Sequence, residues 1–133
     1  MIIDKDLLDK LTAQAKASPR LRMNLDLRNS DADSSQRMLN AIEPGSVVPI
    51  HRHQKTSETV IVCRGKVRKE FYDAEGNKTA EFVMEAGGEC PGVHVPIGQY
   101  HTLVCLEDGS VIFEAKDRPY DQVGTEEFLE RVW

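Results

Sequence analysis

The stretch GSVVPIHRHQKTSETVIVCRG, residues 45–65, decides how the rest of the chain is read. His51 and His53 stand two apart, and on a strand that spacing sends both side chains to one face. The polar residues 54–57 predict a turn. Glu58 then opens a second strand, 58–64, from which its carboxylate can fold back toward the two imidazoles. Further on, Pro96, Gly98 and His101 form P-x-G-x-x-H, a tight turn that delivers a third histidine to a neighbouring strand. Three neutral imidazoles and one carboxylate converging on a point suit a divalent transition ion, either iron, manganese, nickel or zinc. The expected ligands are therefore His51, His53, Glu58 and His101.

Outward from this segment the pattern is short strands broken by glycine, proline and acidic turns. Strands are expected over 37–42, 47–53, 58–64, 66–72, 79–84, 93–96, 101–106 and 110–116, with a hairpin turn at 73–78. Their number and close spacing predict an antiparallel sandwich or barrel. Before them, Leu7, Leu8, Leu11 and Ala15 form a helical stripe that Asp4 caps and Ser18-Pro19 ends. Residues 21–27 alternate apolar and polar as a half-buried strand. At the other end, Thr125 is expected to cap a short helix holding Phe128, Leu129, Val132 and Trp133.

The whole length of 133 residues, 40% hydrophobic and 29% charged, fits one domain. It divides into an N-terminal extension (1–35), a core (36–117) and a C-terminal tail (118–133). A net charge of −5 argues against a nucleic-acid partner. No apolar run is long enough for a membrane helix, and early acids break any signal-peptide core. Three cysteines without C-x-x-C spacing fit a reducing, cytoplasmic compartment.

The spaced residues resemble the cupin family. Gly45, His51, His53, Glu58 and Gly65 match every fixed position of its first motif. Pro96, Gly98 and His101 match part of the second, whose opening glycine and closing asparagine fall on Cys90 and Cys105. The resemblance implies a mainly β protein, a small antiparallel β-barrel of the jelly-roll kind, with the ion inside. Residues 18–30, 35–53, 57–67 and 111–117 look like the WbuC-type cupin fold metalloproteins, which are associated with bacterial surface-polysaccharide (O-antigen) gene clusters. That likeness implies a sugar-related context and no particular reaction.

Substrate contacts are sought around the expected ligands. Cys105 shares strand parity with His101, so its thiol is expected to border the ion's pocket. Arg37 and Asn40 lie on opposite faces of one strand, so at most one is interior; Arg37 is kept as a candidate. Tyr100 could line the mouth. Glu114 and Lys116 are either an interior pair or a solvated face, and His94 points either to the pocket or away. The basic residues Arg52, Lys55, Arg64, Lys66, Arg68 and Lys69 suit a sugar phosphate or nucleotide sugar, yet such runs also form plain solvent-facing strands.

Three functions follow as expectations. The first is a metal-dependent enzyme, an isomerase or epimerase, on a small carbohydrate-derived substrate. The second is a non-haem iron dioxygenase. The third is a non-catalytic sugar-binding or regulatory metalloprotein. A homodimer is expected, with the N-terminal strand or helix crossing to the partner.

Overall fold

The first helix, α1 (Lys5–Ala17), starts where Asp4 accepts a hydrogen bond from the Leu7 amide at 3.0 Å. It ends at Ser18, before Pro19. The structure, a computed structural model, describes residues 1–117 and the strand Glu126–Phe128. Leu11 and Ala15 on α1 pack against Leu39, Ala41 and Val111, so the helix covers the outer face of a sheet.

That first sheet holds β1 (Arg22–Asp26), β2 (Gln36–Ile42), β4 (Glu58–Arg64), β7 (Gly92–Val95) and β9 (Ser110–Lys116), in the order β1-β2-β9-β4-β7. The second holds β3 (His51–His53), β5 (Lys66–Tyr72), β6 (Lys78–Glu85), β8 (Tyr100–Cys105) and β10 (Glu126–Phe128), in the order β10-β3-β8-β5-β6. Every pairing is antiparallel. Gly65 alone separates β4 from β5, so the chain crosses there from one sheet to the other.

The expected closed barrel is corrected. Among the described residues no ladder joins the two sheets, and each keeps two edge strands. Proline supplies a physical reason, because it has no N–H to give a ladder. Pro91 and Pro96 bound β7 to four residues, and the strand expected over 47–53 shrinks to His51–His53 after Pro49. The architecture is a two-sheet sandwich.

The C-terminal helix is corrected as well. Residues Glu126–Phe128 form β10, with Glu126 opposite His53 and Phe128 opposite His51. Pairing with the open edge of β3 outweighs the local helical pattern. Thr125, Leu129, Val132 and Trp133 lie outside the described residues. In the single chain β1 pairs with β2 and α1 packs on the first sheet. No helix among the described residues is long and apolar enough to cross a membrane.

The space between the sheets has two halves. One is an apolar core of Ile42, Val60, Val62, Val67, Met84, Leu103, Cys105 and Ile112. The other is polar, because each contributing strand changes character along its inner face. β4 runs from Val62 and Val60 to Glu58, β8 from Leu103 to His101, and β9 from Ile112 to Glu114 and Lys116. The register aligns these ends: Val62 faces Ile112, Val60 faces Glu114, and Glu58 faces Lys116.

Candidate metal centre

His51 and His101 sit directly opposite one another across β3 and β8. His53 follows two residues along β3 on the same face, and Glu58 reaches in from β4 on the facing sheet. The ring centroids lie 4.4 Å apart for His51 and His101, 5.1 Å for His51 and His53, and 5.6 Å for His53 and His101. One ring nitrogen from each histidine lies within 4.8 Å of the other two, so the three can hold one metal ion. Glu58 Oε2 stands 3.1 Å from His101 Nε2 and 3.6 Å from His53 Nε2.

Backbone carbonyls set the ring orientation. His51 Nδ1 lies 2.8 Å from the Pro49 carbonyl, and His101 Nδ1 lies 2.9 Å from the Gln99 carbonyl. A carbonyl only accepts, so each Nδ1 carries the proton and each Nε2 presents a lone pair. Burial pushes the His101 imidazole down, and the Lys69 charge adds to this. Burial alone would raise the Glu58 carboxyl. The Lys69 charge is the first of the effects that outweigh it, and the group is held well below the usual carboxylate range.

This pair supplies the test of fit. Glu58 Oε2 and His101 Nε2 are both buried, and neither has a hydrogen-bond partner among the described residues. Two lone pairs facing one another at 3.1 Å repel, and burial without a donor costs each of them. A cation between them converts the repulsion into ligation. The donor set, imidazole nitrogens with one carboxylate, is that of a divalent transition ion.

The same burial predicts a pH dependence. His51 is pushed down to about 3, first by burial and then by His101. In the unfolded chain both histidines protonate near their ordinary value of 6.5. Their folded-state pKa values are depressed, so stability is full above that value and falls as pH drops toward the folded values. The slope is at most about 1.4 kcal/mol per pH unit per group. Urea midpoints of the chelator-treated protein are expected to fall between about pH 7 and pH 4. A midpoint that stays flat down to about pH 5 contradicts this.

The histidines and Glu58 open onto a cavity of about 360 Å³ between the sheets. Glu114 and Lys116 both line it, so the interior alternative holds for that pair. Asn40 Nδ2 donates to Glu114 Oε1 at 2.8 Å, and Lys116 Nζ donates to Glu114 Oε2 at 3.3 Å. Burial raises the Glu114 carboxyl, and the Glu58 charge raises it further.

Three candidates lie off the cavity lining. Arg37 turns away from the cavity and reaches Asp33 at 3.0 Å and the Leu27 carbonyl at 3.3 Å; Asn40, of opposite parity, is the interior residue. Tyr100 precedes His101 and so points to the other face, where the Arg52 guanidinium lies 4.8 Å from its ring centroid. Cys105 is interior, as parity predicts, but four residues along β8 is about 13 Å. Its thiol therefore lies in the apolar half and donates to the Ile42 and Glu107 carbonyls at 3.2 and 3.1 Å. His94 is exposed, 3.0 Å from Thr59 Oγ1.

Sequence reasoning named Lys69 only as one of six basic residues and did not single it out as interior. It lines the cavity and is only 3% exposed. The alternation of Val67, Lys69 and Phe71 carried the signal, but the surrounding charges Lys66, Arg68 and Glu70 read as a solvated run.

Known structures share this fold. The chain superposes on the capsular polysaccharide assembling protein CapF from Staphylococcus aureus with a TM-score of 0.72 and 22% identity, covering 86% of this chain and 33% of that one. It superposes on an oxalate oxidase in complex with glycolate with a TM-score of 0.66 and 14% identity, covering 85% and 57%. For the oxalate decarboxylase of Bacillus subtilis the values are 0.62 and 17%, covering 81% and 27%. The chain thus spans about a third of CapF and little more than half of the oxalate oxidase. The chain shares its fold with these proteins, and its histidine cluster is a site able to hold a metal ion. Residues 3–84 match the model of a domain of unknown function, DUF6016, and the chain belongs to that family. No curated protein matches it.

Proposed function

We propose that this chain is a metal-dependent isomerase or epimerase acting on a small carbohydrate-derived substrate of surface-polysaccharide assembly. His51, His53, Glu58 and His101 hold one divalent ion. Such an ion acts as a Lewis acid on a hydroxyl–carbonyl pair. One observation carries the reading: a second carboxylate, Glu114, shares the cavity with the cluster. Proton transfer at a carbon beside a carbonyl needs a base within reach. Glu114 serves as that base, oriented by Asn40 and Lys116. Leu103 and Ile112 line the same space and keep part of it dry. The cavity lies near the lower end of the roughly 300–1,000 Å³ range of ligand sites, which suits a molecule of monosaccharide size.

The fold likeness to CapF and the resemblance to WbuC-type proteins support the polysaccharide context. Solvent-deuterium exchange tests the reading. The metal-loaded protein is expected to wash deuterium into one carbon position of a free sugar or sugar phosphate, and Glu114→Gln to abolish this with metal content retained. Oxygen consumption by the iron-loaded protein, without exchange, would instead favour the dioxygenase. Binding with neither would favour a non-catalytic sugar-binding protein.

A further inference from the structure

The polar half of the cavity carries an imbalance of charge. Its lining holds four cationic side chains, Arg20, Arg22, Lys69 and Lys116, against two carboxylates, Glu58 and Glu114. The protein as a whole is acidic, at −5, so this is a local concentration of positive charge against the overall trend. Lys116 is matched by Glu114 at 3.3 Å. Lys69 is not matched in this way. Opposite Leu103 on the second sheet, it is more than nine-tenths buried and lines the cavity. Among the described residues its ammonium makes no hydrogen bond or ion pair.

Stripping most of the water from an ammonium without such contacts is costly, and the Lys69 ammonium is left facing the cavity. Glu58 offsets part of that cost by its field, but Glu58 belongs to the ligand set. A divalent ion on the four ligands takes up the Glu58 charge and adds one positive charge of its own. With Lys116 and Glu114 cancelling, the ion, Glu58 and Lys69 then leave a net charge of about +2 at the cavity wall, before Arg20 and Arg22 are added. Such a site is complete only when an anion enters.

We infer that Lys69 anchors an anion: the ligand of this cavity carries a carboxylate or phosphate group that docks on the Lys69 ammonium beside the metal centre. This rests on the proposed ligand set and narrows the substrate to an acidic sugar or a sugar phosphate. The cavity volume favours either over a nucleotide-linked sugar. Lys69 acts in binding and orientation, with no bond made or broken at its nitrogen.

Calorimetric titration of the full-length, zinc-loaded protein with glucose, glucuronate and glucose 6-phosphate tests this, because the three share a ring and differ in charge. At least one charged probe is expected to bind about tenfold or more tightly than glucose. The stronger of the two identifies the group as carboxylate or phosphate. Lys69→Met and Lys69→Gln are expected to remove that advantage, Lys69→Arg to keep most of it, and all three to retain zinc. Glucose binding as tightly as both charged probes overturns the inference, as does the absence of any charged-probe binding. Unchanged affinity in the two neutral variants overturns it too. Should those variants misfold, the three probes on the wild-type protein decide alone. Zinc stoichiometry separates the two readings. A wild-type chain that takes up no zinc overturns the metal site, and charged against neutral probes on that chain still judge Lys69.

Discussion

Replacing His101 by alanine is expected to lower the affinity for a divalent ion about a hundredfold. Four-ligand zinc sites are worth roughly 10–16 kcal/mol, so one ligand of four accounts for on the order of 3 kcal/mol. His101 is the best placed of the set: almost fully buried, held through Nδ1 by the Gln99 carbonyl, and 3.1 Å from Glu58. Neither Cys105, which lies in the apolar half, nor His94, which is exposed on the outside, can replace it. His94→Ala and Cys105→Ala therefore serve as controls expected to keep wild-type affinity. Competition with a chromogenic chelator measures all three. A His101→Ala protein that binds within a few-fold of wild type contradicts the assignment, and so does a large loss in either control.

Gly65→Ala is expected to destabilise the fold by about 4 kcal/mol or more. Gly65 has φ of +88°, in the left-handed region that side chains disfavour. A Cβ there would stand 2.8 Å from the Ser110 Cα, which is backbone and cannot swing aside. Ser110 is itself fully buried; its hydroxyl accepts from the Lys66 amide at 3.1 Å and donates to the Glu107 carbonyl at 2.6 Å. Displacing it breaks both bonds. The consequence reaches the site, because this single residue carries the chain from the sheet of Glu58 to the sheet of Lys69 and the histidines. Urea denaturation is the measurement, and a loss below about 1 kcal/mol would show that the crossing tolerates a side chain.

The metal centre was largely legible before the fold was known, for a local reason. The two-residue period of a strand places His51 and His53 together, and two short turns bring in Glu58 and His101. Parity told inside from outside but not depth. Cys105 and His101 share a face, yet one lies among valines and the other among imidazoles. Arg37 and Asn40 show the same rule at work: at most one could be interior, and only the pairing of β2 with β9 decides which. Lys69 was hidden because a buried lysine within a run of surface charges carries no mark of its own. The closed barrel and the C-terminal helix failed for non-local reasons. Both depend on which strand edge is open, and that is settled by prolines and by pairing far away in the chain.

Metal analysis of the wild-type protein purified without added metal tests the central claim most directly. The account predicts close to one divalent transition ion per chain. After removal by a chelator, uptake of manganese, iron, nickel or zinc should return to about the same level. A protein that emerges without metal and takes up none of these ions at micromolar concentration would contradict it, because His51, His53, Glu58 and His101 would then be a buried polar cluster without an ion to hold.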